Sequence, residues 1–213
     1  MKKGHLFVLS GPSGTGKSTI CKRISCLNNA CLSVSMTTRK PRDSEIEGES
    51  YYFVEKQDFL NMINECGFLE YAEVYGCMYG TPKKPVLDAL DRGDDVILEI
   101  DIQGALKVRE SYPEGIFIFI LPSSLTKLEE RLRKRGTESE EDIKLRLSKT
   151  VDELSYISQY DYYVINEDLD SASEDVMSIM KSVNMLVDGR STQLSVNEHT
   201  EDVIKGIIGN KNR

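Results

Sequence analysis

The sequence has no long hydrophobic run and no paired cysteine motif, and both absences restrict the class of protein. No apolar stretch approaches the roughly 18 residues of a transmembrane helix, so no membrane segment or membrane partner is expected. Met1–His5 lead directly into an apolar stretch, which leaves no room for a signal peptide. The five cysteines form no C-x-x-C pair and are odd in number. Free thiols and a cytoplasmic location are therefore predicted, because disulfides persist mainly in oxidising compartments.

An excess of positive charge is also missing. The chain has 27 Lys and Arg against 35 Asp and Glu, a net charge of −8 at pH 7. Nucleic-acid binders are usually basic, so nucleic acid is not expected as a partner. Basic residues are nevertheless concentrated at 39–42 and 131–146. A site that holds phosphorylated ligands would need such local clusters against an acidic background.

The most informative stretch follows the first apolar run, Leu6–Leu9. It fits the phosphate-loop pattern G-x-x-x-x-G-K-[ST] with Gly11, Pro12, Ser13, Gly14, Thr15, Gly16, Lys17 and Ser18. Glycines let backbone N–H groups turn inward around an anion, and the following helix points its positive end at the phosphates. The Lys17 ammonium is expected on the β- and γ-phosphates of a nucleoside triphosphate, and the Ser18 hydroxyl on Mg²⁺. A glycine-rich turn that binds nothing is the alternative, but the flanking strand and helix argue against it.

Alternation of apolar strands and helices predicts the fold class. The length of 213 residues suits one domain, or one domain with inserts, and there is no internal repeat or low-complexity tract. Besides the first strand, strands are predicted at 31–35, 96–101, 116–121 and 162–166. Helices are predicted at 17–27, 83–91, 103–110, 125–134, from a capping box at 137–140 to about 156, after a second capping box at 171–174, and at 199–208. This order is typical of an α/β doubly wound parallel sheet.

Two segments depart from that alternation. Residues 35–82 combine short strands at 48–54 and 68–74 with a helix at 56–66, which Gly67 is expected to end, and a turn-rich stretch at 75–82. We predict a small subdomain with a second binding surface.

The other segment, 123–150, contains eight Lys or Arg and six Asp or Glu. Two polar helices around Gly136 predict a mobile helical hairpin. Both segments are expected above the carboxyl ends of the strands, where ligands bind in open α/β sheets.

Several motifs make the chain similar to the guanylate kinases over roughly Phe7 to Asp170. Besides G-P-S-G-x-G-K-[ST] in the phosphate loop, family patterns match in order: S-x-[ST]-T-R-x-P-R at 35–42, G-x-x-Y-x-F at 48–53, E-[WY]-A at 70–72, Y-G-[ST] at 79–81, [DE]-[IV]-D-x-Q-G at 99–104, R-x-x-x-R-G at 131–136 and K-x-R-L at 144–147. The tail after Gly189 does not align. The resemblance implies a P-loop NTPase-type fold and phosphoryl transfer from ATP to GMP with Mg²⁺. It also implies a P-loop core of 1–34, 83–122 and 151–213, a GMP-binding subdomain of 35–82 and a lid of 123–150.

The resemblance implies a GMP site of eight residues: Ser35, Arg39, Arg42, Tyr51, Glu70, Tyr79, Thr81 and Asp101. Their chemistry suits that ligand. Arg39 and Arg42 can each present a bidentate fork to a dianionic monophosphate. A carboxylate at Glu70 matches the two adjacent donors of guanine and leaves buried groups unpaired with adenine. Packing aromatics and solvated surface charges are the alternative explanations.

The resemblance assigns phosphoryl transfer to four catalytic side chains: Lys17, Arg131, Arg135 and Arg146. Arg133 is left as a bystander, and surface ion pairs are the alternative for the whole charged segment. Glu99 and Asp101 lie two apart on a predicted strand, so both are expected on one side. One would hold a Mg²⁺-bound water and the other GMP, and the roles stay open between them. Asn166 is expected on the adenine or ribose side.

Three other functions fit the sequence less well. A non-catalytic scaffold module would usually lack the intact phosphate loop and the arginines of 131–146. A kinase acting on a sugar phosphate would have no need for Glu70 with Ser35 and Thr81. A GTPase would follow its phosphate loop with switch segments rather than with an acceptor-binding insert.

Overall fold

The computed structural model describes residues 3–28, 30–43, 45–74, 76–135, 140–185 and 199–209. Its elements are, in chain order, β1 (Leu6–Ser10), α1 (Lys17–Asn28), β2 (Cys31–Leu32), β3 (Met36–Thr37), β4 (Tyr52–Phe53), α2 (Lys56–Asn64), β5 (Phe68–Val74), β6 (Cys77–Pro82), α3 (Lys83–Arg92), β7 (Val96–Glu99), α4 (Ile102–Ser111), β8 (Ile116–Pro122), α5 (Leu125–Arg135), α6 (Glu140–Leu154), a 3₁₀ turn (Ser155–Gln159), β9 (Tyr162–Asn166), α7 (Leu169–Met185) and α8 (His199–Gly209).

The larger sheet is parallel and has the strand order β2-β7-β1-β8-β9. Parallel strands need crossover connections, and helices provide them here. The first strand of the chain therefore lies in the middle of the sheet. The predicted α/β class with a doubly wound parallel sheet is confirmed.

Strand β1 divides its side chains between two layers. Leu6 and Val8 join an apolar cluster with α3, α4, α5 and α6, whereas Phe7 and Leu9 join a second cluster with α1 and α7. All four side chains are at most 1% exposed. Helices thus cover both faces of the sheet, which explains why its strands are continuous apolar runs.

The smaller sheet contains four strands in the order β4-β3-β6-β5. Strand β6 pairs antiparallel with both β3 and β5. The stretch 75–82 was predicted to be turn-rich, and this is wrong for 77–82, which form β6. Gly80 and Pro82 suggested turns, but Gly80 is needed because a Cβ there would lie 2.9 Å from the ring of Phe68.

The end of α2 also differs from the prediction. Cys66, not Gly67, has the left-handed conformation, with φ of 52°. The N–H of Cys66 donates to Ile63 O at 3.0 Å and that of Gly67 to Met62 O at 2.8 Å, which is a Schellman motif. Gly67 serves a different need, because a Cβ there would lie 3.0 Å from Met62 Cε.

The start of α7 is a further correction. The helix begins at Leu169, two residues before the predicted capping box. The Oδ1 atom of Asp168 accepts a hydrogen bond from Ser171 N at 2.9 Å. Asp168 therefore caps the helix by satisfying one of its free N–H groups.

The predicted helix at 199–208 is confirmed as α8. Its Ile207 is 3% exposed and packs in the same cluster as Leu6 and Val8. The helix therefore contributes to the core although the preceding residues 186–198 lie outside the described part. In the described residues, no helix is both long and apolar enough to cross a membrane.

Candidate active site

The phosphate loop connects β1 to α1 in a conformation that only glycine adopts easily. Gly11, Gly14 and Gly16 have φ of 141°, 88° and 92°. A Cβ on Gly11 would lie 2.3 Å from Ile120 O, and one on Gly16 would lie 2.5 Å from Asn166 Nδ2. The loop is therefore fitted closely against the ends of the neighbouring strands β8 and β9.

Lys17 is the first residue of α1, and its ammonium group lies inside the loop. Its Nζ donates to Gly11 O at 2.5 Å and to Pro12 O at 2.9 Å. Burial lowers the pKa of Lys17, and the carboxylate of Glu99 opposes this effect. The loop thus holds a desolvated positive charge, which is what a polyphosphate site requires.

Beside the loop is a cavity of about 350 Å³, lined by loop residues and by Glu99, Asp101 and Glu153. Glu99 ends β7, next to Leu9 of β1. The Ser18 hydroxyl donates to Glu99 Oε1. A hydroxyl and a carboxylate in contact form a donor set that suits Mg²⁺.

The prediction that Asp101 shares a strand with Glu99 is wrong, although both residues line the same cavity. Strand β7 ends at Glu99, and Asp101 is the N-cap of α4. Its Oδ1 accepts a hydrogen bond from Gly104 N at 2.7 Å. The Asp101 side chain thereby satisfies one of the free N–H groups at the start of α4, which places Asp101 at the helix end and not on the strand.

Glu70 lies on β5, and its side chain is buried against β6 and α4. The residue is 8% exposed, and its Oε1 accepts a hydrogen bond from Thr81 Oγ1 at 2.7 Å. Glu70 and Thr81 are directly opposed in the antiparallel pair. Burial raises the pKa of the Glu70 carboxyl, and the charge of Asp101 raises it further.

Gly104 allows the start of α4 to approach that carboxylate. A Cβ on Gly104 would lie 3.1 Å from Glu70 Oε2 and 3.2 Å from Asp101 Oδ1. Glu70, Thr81 and Asp101 are therefore brought together. Ser35 is half-buried just before β3, where its carbonyl accepts from Tyr52 N at 2.9 Å.

Arg39 contacts Tyr51 and Tyr79, the two tyrosines that were predicted in the same GMP site. Its Nε donates to Tyr79 Oη at 3.1 Å, and its Cζ lies 5.6 Å from the centre of the Tyr51 ring. The two tyrosine rings meet edge to face, with centroids 5.9 Å apart. Arg42 is exposed on the same loop. Arg39, Tyr51 and Tyr79 are thus brought together, and Arg42 lies on the same loop.

The charged segment 123–150 reaches the phosphate loop from α5 and α6. Arg146 Nη1 donates to Ser13 Oγ at 2.7 Å, and Arg131 Nη2 donates to Asn166 O at 3.0 Å. Arg133 pairs instead with Glu129 and Glu140, at 2.9 Å each. The side chain of Arg135 and the whole of Gly136 lie outside the described residues.

Asn166, the last residue of β9, contacts the phosphate loop. Its Nδ2 donates to Thr15 O at 2.7 Å. Its Oδ1 is buried and has no hydrogen-bond partner among the described residues. Asn166 also lines a cavity of about 370 Å³ together with Gly14, Gly16, Thr19, Arg131, Lys134 and Leu169.

Comparisons with known proteins identify the family of the chain. A family model described as guanylate kinase matches residues 3–183. The chain belongs to the guanylate kinase family. The guanylate kinase of Clostridium tetani is 54% identical over 188 residues, which are 88% of this chain and 90% of that protein. The guanylate kinase of Clostridium acetobutylicum is 52% identical over 187 residues, with the same two shares.

A solved guanylate kinase from Anaplasma phagocytophilum has a similar structure. The TM-score is 0.70 at 33% identity, and the alignment covers 96% of this chain and 95% of that one. The guanylate kinase fold therefore accounts for nearly the whole chain.

Two acidic residues near the site were not singled out from the sequence. Glu45 contacts Arg39, and Glu153 of α6 lines the phosphate-loop cavity with a pKa raised by burial. Glu45 follows the second arginine of the basic loop by three residues, which could have drawn attention to it. Glu153 carries no comparable signal, because an acid on a charged helix is usually solvated.

Proposed function

We propose that the chain transfers the γ-phosphoryl group of ATP to GMP, giving ADP and GDP. Membership of the guanylate kinase family supports this reaction and makes the chain a nucleoside monophosphate kinase. The structural observation that carries the choice of acceptor is the buried pair of Glu70 and Thr81 beside the start of α4. The product would enter guanine nucleotide supply.

Guanine recognition rests on the arrangement of donors and acceptors. The Glu70 carboxylate accepts from the two adjacent donors of guanine, and Asp101 reaches the amino group. The hydroxyls of Ser35 and Thr81 would donate to the O6 acceptor, and Thr81 would turn its single proton from Glu70 to O6 when the base binds. Adenine presents the wrong pattern to this set, and unpaired buried groups can discriminate by about 10⁴-fold.

The acceptor phosphate would be held by the loop between β3 and β4 together with β6. Arg39 and Arg42 supply positive charge, and the hydroxyls of Tyr51 and Tyr79 add donors. The contact of Arg39 with Tyr79 supports this role. A dianionic monophosphate suits the planar guanidinium fork.

Phosphoryl transfer is assigned to Lys17, Arg131, Arg135 and Arg146, with Arg135 proposed from its motif alone. No covalent intermediate forms on the protein, and these cations stabilise charge on the transferring oxygens. Contact of Arg146 with Ser13 and of Arg131 with the end of β9 supports the assignment. Closure of residues 123–150 as a lid would exclude water and limit ATP hydrolysis.

The oxygen donors beside the phosphate loop fit Mg²⁺, which we propose as the cofactor. Ser18 would hold the ion directly, and Glu99 or Asp101 would act through its bound water. When bound, the ion neutralises charge on the phosphates of ATP. The contact between Ser18 and Glu99 supports this set.

The division of the chain follows from these roles. Residues 1–34, 83–122 and 151–213 form the P-loop core, 35–82 the GMP-binding subdomain and 123–150 the lid. A cytoplasmic location is proposed because all five cysteines are free thiols.

The test is a coupled assay of ADP release with MgATP and, in turn, GMP, AMP, CMP, UMP and a ribose phosphate. Turnover is expected with GMP alone. The variant Glu70→Gln should raise the KM for GMP about 10- to 100-fold, since it removes a charged hydrogen-bond acceptor, and leave the KM for ATP unchanged.

Glu73→Gln is the matched control, because Glu73 lies on the same strand but is exposed. It should behave as the parent protein does. Absence of turnover with every acceptor, despite ATP binding, would refute the proposed function. A sugar-phosphate kinase would instead turn over the ribose phosphate.

A further inference from the structure

Glu45 bridges the two arginines of the acceptor clamp. It lies in the loop between β3 and β4, and its side chain is 14% exposed. Its Oε1 accepts from Arg39 Nη2 at 2.8 Å, and its Oε2 accepts from Arg42 N at 2.8 Å. The backbone closes the same turn, because Glu45 N donates to Arg42 O at 3.0 Å. One carboxylate therefore fixes a side chain and a backbone that belong to different arginines.

These contacts fix the plane of the Arg39 guanidinium. Its Nε donates to Tyr79 Oη, its Nη1 to Lys40 O at 2.7 Å and its Nη2 to Glu45. A guanidinium has five N–H donors in one plane. Within the described part of the chain, three of these donors have partners, and the plane fixes the direction of the other two. Hydrogen bonding to Arg39 also lowers the pKa of Glu45, so the carboxylate stays charged.

We propose that Glu45 is a positioning residue of the acceptor site, which holds Arg39 and the Arg42 turn in the geometry that receives the phosphate of a nucleoside monophosphate. The inference rests on the proposed function, since that function makes Arg39 and Arg42 the phosphate clamp. A carboxylate beside an anion site repels the anion, so its presence favours binding only through the order it imposes. The sign of its effect on affinity therefore separates positioning from competition.

The same loop offers a matched control in Glu47. Its Oε2 accepts from Phe53 N at 3.0 Å, so it too is a carboxylate that holds loop backbone. Among the described residues, Glu47 forms no hydrogen bond or ion pair with Arg39 or Arg42. Glu47→Gln therefore reports what the loss of one such loop contact does by itself.

The experiment measures binding of GMP and of guanosine to the full chain by calorimetry, with steady-state kinetics alongside. Glu45→Gln should weaken GMP binding about tenfold or more, because a charged hydrogen bond is lost. Guanosine lacks the phosphate, so its affinity should stay within about twofold, and the KM for ATP should not change. Glu47→Gln should leave both affinities within the same range.

Three results would overturn the proposal. Tighter GMP binding by Glu45→Gln would show that the carboxylate competes with the phosphate. Equal losses for GMP and guanosine would show a general loss of loop structure. Equal losses of GMP affinity in Glu45→Gln and Glu47→Gln would show that the loss of any loop contact weakens binding to the same extent.

A double-mutant cycle tests the route through Arg39. In an Arg39→Lys background the planar fork is gone, so adding Glu45→Gln should cost little more, whereas additive losses would contradict the proposal. Measurements on the parent protein distinguish a failure of this proposal from a failure of the proposed function. If the parent neither binds nor turns over GMP, the function fails and the inference falls with it; if the parent is active, the variants decide.

Discussion

The two proposed nucleotide sites of this protein are built by different means. The donor site is one run of eight residues from the end of β1 into the first turn of α1, shaped by backbone groups and by three glycines with positive φ. The acceptor site is assembled from side chains of the β3–β4 loop, β5, β6 and the start of α4. The first depends on a single local conformation, and the second depends on the pairing of strands that are distant in sequence.

This difference predicts how each site fails. A change in the loop backbone should weaken several contacts of the donor at once, because the N–H groups of the nest move together. A change in one acceptor side chain should cost one hydrogen bond and leave the others. One backbone substitution should therefore affect the whole donor site, whereas acceptor substitutions should act one contact at a time.

The largest effect is expected for Lys17→Met. It removes the ammonium from the loop and should lower kcat by about 10²- to 10³-fold, as expected for loss of one preorganised charge. Unfolding by urea should change little, since burial already disfavours the charged form of Lys17. Lys22→Met, on the exposed face of α1, is the control. A kcat near that of the parent would remove Lys17 from the mechanism.

Gly16→Ala tests the backbone without changing any charge. The new Cβ would lie 2.5 Å from Asn166 Nδ2 in a residue with φ of 92°. ATP affinity should fall at least about tenfold, and the free energy of unfolding should fall by about 1–2 kcal/mol.

Gly76→Ala separates the cost of a positive φ from the cost of steric overlap. Gly76 has a similar φ of 78°, but nothing lies within 4 Å of its Cβ position. It should show only the conformational cost and normal ATP affinity. Equal loss of ATP affinity in both variants would contradict the view that close packing of the loop matters.

The smallest effect concerns pH on the acceptor side. Burial raises the pKa of Glu70 above its ordinary 4.5, and guanosine needs the charged form. Guanosine affinity should therefore weaken as the pH falls through that raised pKa. Guanosine is the better probe, because a phosphate titrates near pH 6 itself. An affinity independent of pH down to that ordinary value would contradict the assignment of Glu70 to the base.

Stability should respond in the opposite direction. A raised pKa means that the folded state holds the proton more tightly, so this contribution is present below about 4.5 and is lost as the pH rises through the folded pKa. Glu70→Gln should thus be more stable than the parent at about pH 8, and the gain should shrink as the pH falls through the raised pKa of Glu70. Urea unfolding across this range measures it.

The same difference explains what the sequence could predict. The phosphate loop was visible because its glycines and Lys17 are contiguous, and β1 was visible because a strand covered on both faces is apolar throughout. Strand β6 was missed because Gly80 and Pro82 favour turns locally, while pairing with β5 decides the outcome. Asp101 was placed on a strand because helix capping cannot be separated from strand continuation in a short apolar run.

The acceptor residues could be named only through the resemblance to guanylate kinases. Nothing local distinguishes Glu70 from the exposed Glu73 on the same strand. Glu45 looks like any acid in a polar loop until its contact with Arg39 is seen. Such residues acquire meaning from tertiary contacts, which periodicity and composition do not contain.

The position of β1 has a consequence for insertions and deletions. Its side chains alternate between the two helical layers, and the loop begins directly after its last residue. Adding one residue within β1 would exchange the apolar sets of the two layers and move the loop by one strand position, about 3.3 Å. Evolution therefore cannot adjust the length of this strand to tune catalysis without dismantling the core, so the spacing of the chain before Gly11 is set by folding and chemistry together.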